Sequence, residues 1–319
     1  MPASPEPAAP PFIIGVDIGG TKCAVAKSTR DGQILAHETF PTESMARTVA
    51  LILEAVERLQ PGGDPLFGVA CGSPQDSARG IIQAPPNLPG WVDVPIIDHL
   101  TGRFGGQGWL MNDANACALA EWFFGAGVGT RHMIYLTFGT GLGGGLILNG
   151  RLYAGACDNA GEVGHFRLAE DGPVGVGKAG SFEGFCSGGG IAQRARDWAR
   201  ARAAGADDRP VTARDVAAAA DQGDLGAIAI FTETGRRLGQ GLALIIDMLN
   251  PEMIVLGSIY VRCRHLLEQP MMEVLRREAL GPSLAACRIV PAALGENLGI
   301  CSAVAVARYH LGNLPPASA

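Results

Sequence analysis

The segment 133–153, MIYLTFGTGLGGGLILNGRLY, constrains the fold of this chain more than any other. It predicts two apolar strands on either side of a turn in which five of the seven residues 139–145 are glycine, and then an Asn149-Gly150 turn into a third strand. The first two strands are expected at 133–138 and 146–148. A glycine-rich turn either closes a tight hairpin or lets a phosphate chain approach bare N–H groups, and this segment alone is compatible with both.

The same order of elements occurs near the N-terminus, in residues 12–36, FIIGVDIGGTKCAVAKSTRDGQILA. An apolar strand leads into a Gly-Gly-Thr turn, a second strand follows, and an Asp31-Gly32 turn precedes a third strand. An internal repeat of this kind indicates a duplicated domain. We expect the two glycine-rich hairpins to face one bound polyphosphate.

Composition limits the classes of function. The chain has 319 residues, 47% of them hydrophobic, which suits two domains of ordinary size. A net charge of −6 argues against a general nucleic-acid binder. The eight cysteines include no CxxC pair, and such scattered cysteines are typical of a cytoplasmic protein in which thiols stay reduced. No apolar stretch approaches the roughly 20 residues that span a bilayer. We therefore expect a soluble cytoplasmic protein that binds neither nucleic acid nor membrane.

Further elements follow from the spacing of apolar residues. An amphipathic helix is expected over 44–60, and buried strands are expected over 66–71 and 253–256. The loop 84–91, APPNLPGW, is long and irregular for a compact domain, and such loops are more often functional than idle. Residues 1–11, MPASPEPAAPP, lack the features of a signal peptide, and we expect them to form a disordered tail.

Asp113 lies in an NDAN sequence between a strand predicted over 108–111 and a helix predicted over 116–124. An aspartate at this point serves either as a helix N-cap or as a general base that takes the proton of a hydroxyl during phosphoryl transfer. Glu162 and His165, bracketed by glycines, form either an ordinary polar turn or a pair of groups that bind a polyol. The local sequence leaves both pairs of alternatives open.

Five motifs follow one another along the chain: DIGGTK from Asp17, PNLPGW from Pro86, NDANA from Asn112, GTGLGGG from Gly139 and AGEVGH from Ala160. They occur in the order found in the ROK family, which the chain resembles from about Phe12 to Leu311. That family comprises sugar kinases and sugar-responsive repressors with the actin-like ATPase fold.

The resemblance implies an α/β fold of two actin-like (RNase H-like) ATPase domains with a ligand cleft between them. It places the N-terminal domain at 12–113, joined by a C-terminal helix over 299–311, and the C-terminal domain at 114–298. It also implies a homodimer. The family usually has a second glycine where this chain has Ser258, a small change at the adenosine side of the site.

The resemblance also implies roles for single residues. ATP and Mg²⁺ would be the cofactors and a sugar the partner, with Asp113 as the catalytic base and Asp17 holding magnesium through water. The sugar hydroxyls would be bound by Asn87, Asn112, Glu162, His165 and Glu183. The nucleotide would be bound by Gly19, Gly20, Thr21, Gly139, Thr140, Gly141, Gly143 and Gly257.

One departure from the family pattern concerns zinc. Family members commonly carry a C-x-C-G-x-x-G-C-x-E run that binds zinc together with the histidine of the AGEVGH motif. In this chain Val174, Val176 and Ser181 stand where the three thiolates would be. Because His165 alone cannot hold tetrahedral zinc, we predict that zinc is absent, and the lone nearby thiol of Cys186 is expected in the core.

These features together predict an ATP-dependent sugar kinase, glucokinase-like, that phosphorylates the 6-hydroxyl of glucose. An N-acetylhexosamine (GlcNAc or ManNAc) or fructose is the alternative acceptor, because the hydroxyl-binding residues are shared among these kinases. The alternative from a different class is a sugar-sensing ROK transcriptional regulator. Such regulators carry an N-terminal helix-turn-helix domain, whereas about eleven residues precede the first predicted strand here. A catalytically idle sugar-binding member is disfavoured by the intact Asp17 and Asp113.

Overall fold

The computed structural model describes residues 12–59, 63–202 and 211–312, which divide into two compact units. Unit 1 contains the described residues up to Gly129 and those from Leu294 onward, and unit 2 contains those from Thr130 to Ala293. The predicted N-terminal tail lies outside the described residues.

Unit 1 begins with strands and helices that alternate after an initial hairpin. Those up to residue 124 are β1 (Ile13–Ile18), β2 (Lys22–Ser28), β3 (Ile34–Pro41), α1 (Met45–Leu59), β4 (Leu66–Cys71), β5 (Gln75–Asp76), β6 (Ile81–Ile82), α2 (Ile96–Phe104), β7 (Gln107–Asn112) and α3 (Asp113–Phe124). Unit 2 contains more helix. Its elements are β8 (Met133–Leu136), β9 (Gly144–Leu148), β10 (Arg151–Leu152), a 3-10 turn (Val163–His165), β11 (Val174–Gly175), β12 (Lys178–Ala179), α4 (Phe182–Phe185), α5 (Gly188–Arg202), α6 (Ala213–Asp221), α7 (Leu225–Leu249), β13 (Met253–Leu256), α8 (Ile259–Glu278), α9 (Gly281–Ala286) and β14 (Arg288–Pro291). A 3-10 turn (Gly295–Asn297) and α10 (Leu298–His310) complete unit 1.

The sheet of unit 1 has the strand order β3-β2-β1-β4-β7 among the described residues. The first three strands are antiparallel, whereas β4 and β7 run parallel to β1. Because β4 is buried along its whole length, both faces of the sheet are covered. Val49, Ile52 and Val56 of α1 pack in the core of one face, and Val304 and Ala307 of α10 pack with the opposite face.

Helix α10 lies unusually close to β4, and Gly68 is the reason. A Cβ atom at this position would lie 2.0 Å from the Ala303 carbonyl oxygen and 2.8 Å from the Ala307 nitrogen. A side chain would therefore force the helix off the sheet.

The sheet of unit 2 has the order β10-β9-β8-β13-β14 in the described part of the chain, and it repeats the directions seen in unit 1. Its first three strands are antiparallel and the last two run parallel to β8. Asn149 and Gly150 have φ values of 54° and 70°, as a type I′ hairpin turn requires. The predicted duplication and the predicted α/β fold are thus confirmed.

Several predicted elements differ from the observed ones at their ends. The strands over 66–71 and 253–256 have the predicted bounds, but α3 begins at Asp113 instead of residue 116. The division between the two compact units falls after Gly129, because α3 packs against α10 within unit 1. Sequence analysis predicted the end of the N-terminal domain at Asp113.

Among the helices of the described residues, none has the length and apolar character that crossing a membrane requires.

Candidate active site

Asp17 and Asp113 come together at one edge of the unit 1 sheet. Asp17 lies near the end of β1, and Asp113 follows the last residue of β7. Since β1, β4 and β7 are parallel, their carboxyl ends meet at the same edge of the sheet, which is where ligands bind in open α/β sheets. The predicted base and the predicted magnesium ligand are therefore neighbours.

The surroundings of these two carboxylates disfavour their charged forms. Burial raises the pKa of Asp17 to about 6; the negative charge of Asp113 adds to this shift and the positive charge of Lys22 opposes it. The surrounding protein also raises the pKa of Asp113 by limiting the hydration of its carboxylate, and a hydrogen bond from the Ala114 N–H partly offsets that rise. Part of the side chain is nevertheless exposed to solvent. Perturbed carboxylates of this kind cluster at functional sites.

Asn112, and not Asp113, is the N-cap of α3. Its side-chain oxygen accepts hydrogen bonds from the N–H groups of Ala114 and Asn115, at 2.9 and 3.2 Å. The amide nitrogen of Asn112 donates to the Ser73 hydroxyl at 2.9 Å. The Asp113 carboxylate is therefore not the N-cap of α3. The hydrogen bond to Ser73 orients the side chain of Asn112. Sequence analysis missed Ser73, although its position two residues after the end of a buried strand was a usable signal.

The proline-rich loop presents Asn87 at the same edge. Leu88 and Trp91 are buried in the core of unit 1 and anchor the loop, whereas Asn87 is exposed. A Cβ atom at Gly20 would lie 2.6 Å from the Asn87 carbonyl oxygen, and one at Gly72 would lie 3.3 Å from its Oδ1. The loop therefore covers the first glycine-rich turn, residues 19–21, and the end of β4.

The second glycine-rich turn belongs to unit 2 and is closed by its own hydrogen bonds. The Gly143 N–H donates to the Thr137 hydroxyl at 2.9 Å, and the Thr137 N–H donates to the Gly143 carbonyl at 2.9 Å. The first N–H groups of α5, at Gly188 and Gly189, donate to the carbonyls of Gly139 and Thr140. Thr137 is a further residue that sequence analysis missed, and it preorganises the turn.

The segment with Glu162 and His165 packs against this turn. The Gly144 N–H donates to the Gly161 carbonyl at 2.9 Å, and a Cβ atom at Gly164 would lie 2.5 Å from the Leu142 carbonyl oxygen. His165 Nε2 lies 4.0 Å from Glu162 Oε2, and both side chains are about half exposed. Two adjacent, solvent-accessible polar groups are thus available to hydroxyl-bearing ligands.

Glu183 lies beside the same turn but is already hydrogen-bonded. Its Oε2 accepts the Leu142 N–H at 3.0 Å and its Oε1 accepts the Val176 N–H at 3.1 Å. A carboxylate offers about four lone-pair positions, so two positions stay available to a ligand. Unit 2 therefore brings Glu162, His165 and Glu183 together with the glycine-rich turn.

A cavity of 520 Å³ opens beside this turn within unit 2, a size suited to a small organic ligand. Its lining includes Gly139, Thr140, Gly188, Thr212, Ser258 and Arg262. A Cβ atom at the neighbouring Gly257 would lie 2.5 Å from the Tyr135 hydroxyl, so this position requires glycine. Arg214 also lines the cavity. The glycines, the hydroxyls and the two arginines suit the phosphate and ribose of a nucleotide.

Ser258 has a strained backbone, with φ 46° and ψ −97°. Non-glycine residues in sparsely populated regions cost about 1–3 kcal/mol. Ser258→Gly is therefore expected to raise the free energy of unfolding by about 1 kcal/mol, measured by denaturant unfolding. Ser258→Ala is the matched control, because it also removes the hydroxyl that bonds Arg262 but keeps the Cβ atom. Equal stability of the two variants would contradict strain at this position.

The loop in which family members place zinc cysteines is held here by hydrogen bonds. The buried Ser181 hydroxyl donates to the Gly175 carbonyl at 2.9 Å, and Lys178 Nζ donates to the His165 carbonyl at 2.8 Å. Arg167 donates to the Ala179 carbonyl at 2.9 Å. Within the described ranges, no group of three or more His, Cys, Asp or Glu side chains is placed to hold a metal ion. Absence of zinc stays a prediction, and Cys186 is buried.

Comparisons with known proteins agree with this geometry. A sequence model of the ROK family matches residues 13–310. The glucokinase of Thermotoga maritima is 30% identical over 312 residues, which cover 94% of this chain and 98% of the relative. The N-acetylmannosamine kinase of Shigella flexneri is 32% identical over 250 residues, with 77% and 82% covered. A ROK family glucokinase from Streptomyces griseus, solved in complex with glucose and AMPPNP, has a TM-score of 0.76 at 32% identity, covering 93% of this chain and 99% of that chain.

Proposed function

This chain belongs to the ROK family, and we propose that it is an ATP-dependent hexose kinase that transfers the γ-phosphoryl group of ATP to the 6-hydroxyl of glucose. The observation that carries the proposal is the pair Asp17 and Asp113 at the carboxyl edge of the unit 1 sheet, close to a glycine-rich turn. Near full-length similarity to glucokinases supports the choice of glucose.

Asp113 is the general base in this proposal. One carboxylate oxygen takes the proton of the sugar 6-hydroxyl. The 6-oxygen of the sugar forms a bond to the γ-phosphorus, and the bond from the γ-phosphorus to the leaving oxygen of ADP breaks. The residues proposed to bind the remaining hydroxyls are Asn87, Asn112, Glu162, His165 and Glu183. Amides and carboxylates suit a neutral polyol because they offer both donors and acceptors.

The donor is bound by backbone groups of the two glycine-rich turns, residues 19–21 and 139–143, with Gly257 at the adenosine side. The residues also fit magnesium, because Asp17 and Asp113 are hard oxygen ligands whose mutual repulsion a divalent cation would relieve. Asp17 would hold the ion through water, and when bound the ion neutralises charge on the phosphates. We further propose that the protein acts as a cytoplasmic homodimer without nucleic-acid, membrane or zinc binding.

A second acceptor has support from one comparison. The similarity to an N-acetylmannosamine kinase, which covers 77% of this chain, favours ManNAc as the alternative to glucose. The proposed hydroxyl-binding residues do not discriminate between the two sugars, because an acetyl pocket is built by shape.

The test is ADP release from magnesium-ATP in the presence of glucose, N-acetylglucosamine, N-acetylmannosamine, mannose, fructose and allose. We expect the highest kcat/KM with glucose. A higher value with N-acetylmannosamine would support the second acceptor instead, and no turnover with any of these sugars would overturn the proposed kinase.

A further inference from the structure

Glu183 is placed at a junction of three segments of unit 2. One carboxylate oxygen accepts the N–H of Leu142 in the second glycine-rich turn, and the other accepts the N–H of Val176 at the tip of the β11–β12 hairpin. The distances are 3.0 and 3.1 Å, so both are ordinary hydrogen bonds. One side chain thus fastens the turn assigned to the donor phosphates to a separate hairpin.

The hairpin is in turn bonded to the segment assigned to the sugar. Lys178 of β12 donates from Nζ to the carbonyl of His165 at 2.8 Å. Helix α4, which carries Glu183, also packs against that segment, and a Cβ atom at Gly164 would lie 3.3 Å from Glu183 Cβ. A continuous chain of contacts therefore runs from His165 through Lys178 and Glu183 to the Leu142 N–H.

The hairpin tip is strained at the residue that Glu183 holds. Val176 has φ 48°, a left-handed value that is rare for a β-branched residue, and Gly177 follows at φ 69°. Such conformations persist only where the surroundings enforce them, and they cluster at functional sites. The hydrogen bond from the Val176 N–H to Glu183 supplies part of that enforcement.

We propose that Glu183 is a positioning residue that couples sugar binding to nucleotide binding, an inference that rests on the proposed function. A sugar held by Glu162 and His165 orders the 3-10 turn, and through Lys178 and Glu183 it orders the glycine-rich turn before the nucleotide arrives. Less conformational entropy is then lost when the phosphates bind. By linkage the nucleotide tightens sugar binding by the same factor.

The test is the Kd of ADP measured by calorimetry on the full chain, with and without a saturating amount of the sugar that gives turnover. In the wild-type protein we expect the sugar to lower this Kd about 5–150-fold, the usual range of such couplings. Glu183→Gln offers one acceptor oxygen in place of two, so either Leu142 or Val176 loses its acceptor. The ratio of the two Kd values is expected to fall to near 1 in this variant.

Two control variants separate coupling from other effects. Glu162→Gln removes charge from a proposed sugar ligand, so it is expected to raise the sugar KM but to keep the Kd ratio. Glu170→Gln changes an exposed carboxylate of the same loop and is expected to leave both unchanged. Glu183→Asp has a side chain too short to reach both N–H groups, so the ratio of the two Kd values is expected to fall in this variant as well. Thermal melting establishes that each variant is folded.

The outcomes distinguish this inference from the proposed function. A Kd ratio retained in folded Glu183→Gln, or a wild-type ratio of 1 despite sugar turnover, would overturn the coupling role and leave the kinase intact. Wild-type protein without turnover on any sugar would overturn both. Loss of the ratio in both Glu183 variants, with the ratio retained in Glu162→Gln, supports the coupling role.

Discussion

Replacing Asp113 by alanine is expected to lower turnover by roughly 10²–10⁴-fold, the usual cost of losing a general base. The carboxylate accepts the Ala114 N–H, but Asn112 is the cap of α3 and accepts the N–H groups of both Ala114 and Asn115, so neither group loses its last acceptor in the variant. Sugar binding is expected to persist because the proposed hydroxyl-binding residues remain. Turnover is measured by ADP release, and sugar binding by calorimetry.

The matched control is Asp98→Ala, which removes an exposed carboxylate from the first turn of α2. This variant is expected to keep normal turnover. Near-normal turnover in Asp113→Ala, with unchanged sugar affinity, would remove Asp113 from the chemistry. Loss of sugar binding in the same variant would assign it to sugar binding instead of proton transfer.

Of all the substitutions considered, Glu121→Ala is expected to lower the free energy of unfolding the most. Glu121 is fully buried in α3, and its two oxygens accept the N–H groups of Ala126 and Leu294, at 2.8 and 3.0 Å. A buried N–H group without an acceptor costs about 1–3 kcal/mol, so two such groups lower the free energy of unfolding by about 2–6 kcal/mol. The measurement is denaturant unfolding of both proteins.

The two hydrogen-bond partners of Glu121 lie close to the two points where the chain crosses between the units. Ala126 precedes the boundary after Gly129, and Leu294 is the first residue after the return. Glu121→Gln keeps one acceptor oxygen and is expected to lose an intermediate amount of stability. Glu296→Ala, an exposed control, is expected to stay within about 0.5 kcal/mol of the wild type. A loss in Glu121→Ala no larger than in this control would contradict the role of Glu121.

Much of the fold follows from local sequence because local rules and tertiary packing agree there. The Asn149-Gly150 pair adopts positive φ values at both residues, as its composition predicts, and the apolar run 66–71 is a buried strand with the predicted bounds. Helix ends were less predictable. Residue 112 caps α3 four residues before the predicted helix start, because its amide oxygen reaches the N–H groups of Ala114 and Asn115.

By itself, the sequence determined the duplicated strand and turn pattern, the family, and the residue types available for phosphates and hydroxyls. Only the tertiary structure decided how particular side chains are used. The hydrogen bonds of Glu183 to Leu142 and Val176, and those of Glu121 to Ala126 and Leu294, join residues up to 173 positions apart. The physical reason is that a carboxylate takes whichever N–H groups the packed chain places within about 3 Å, and packing depends on the whole chain.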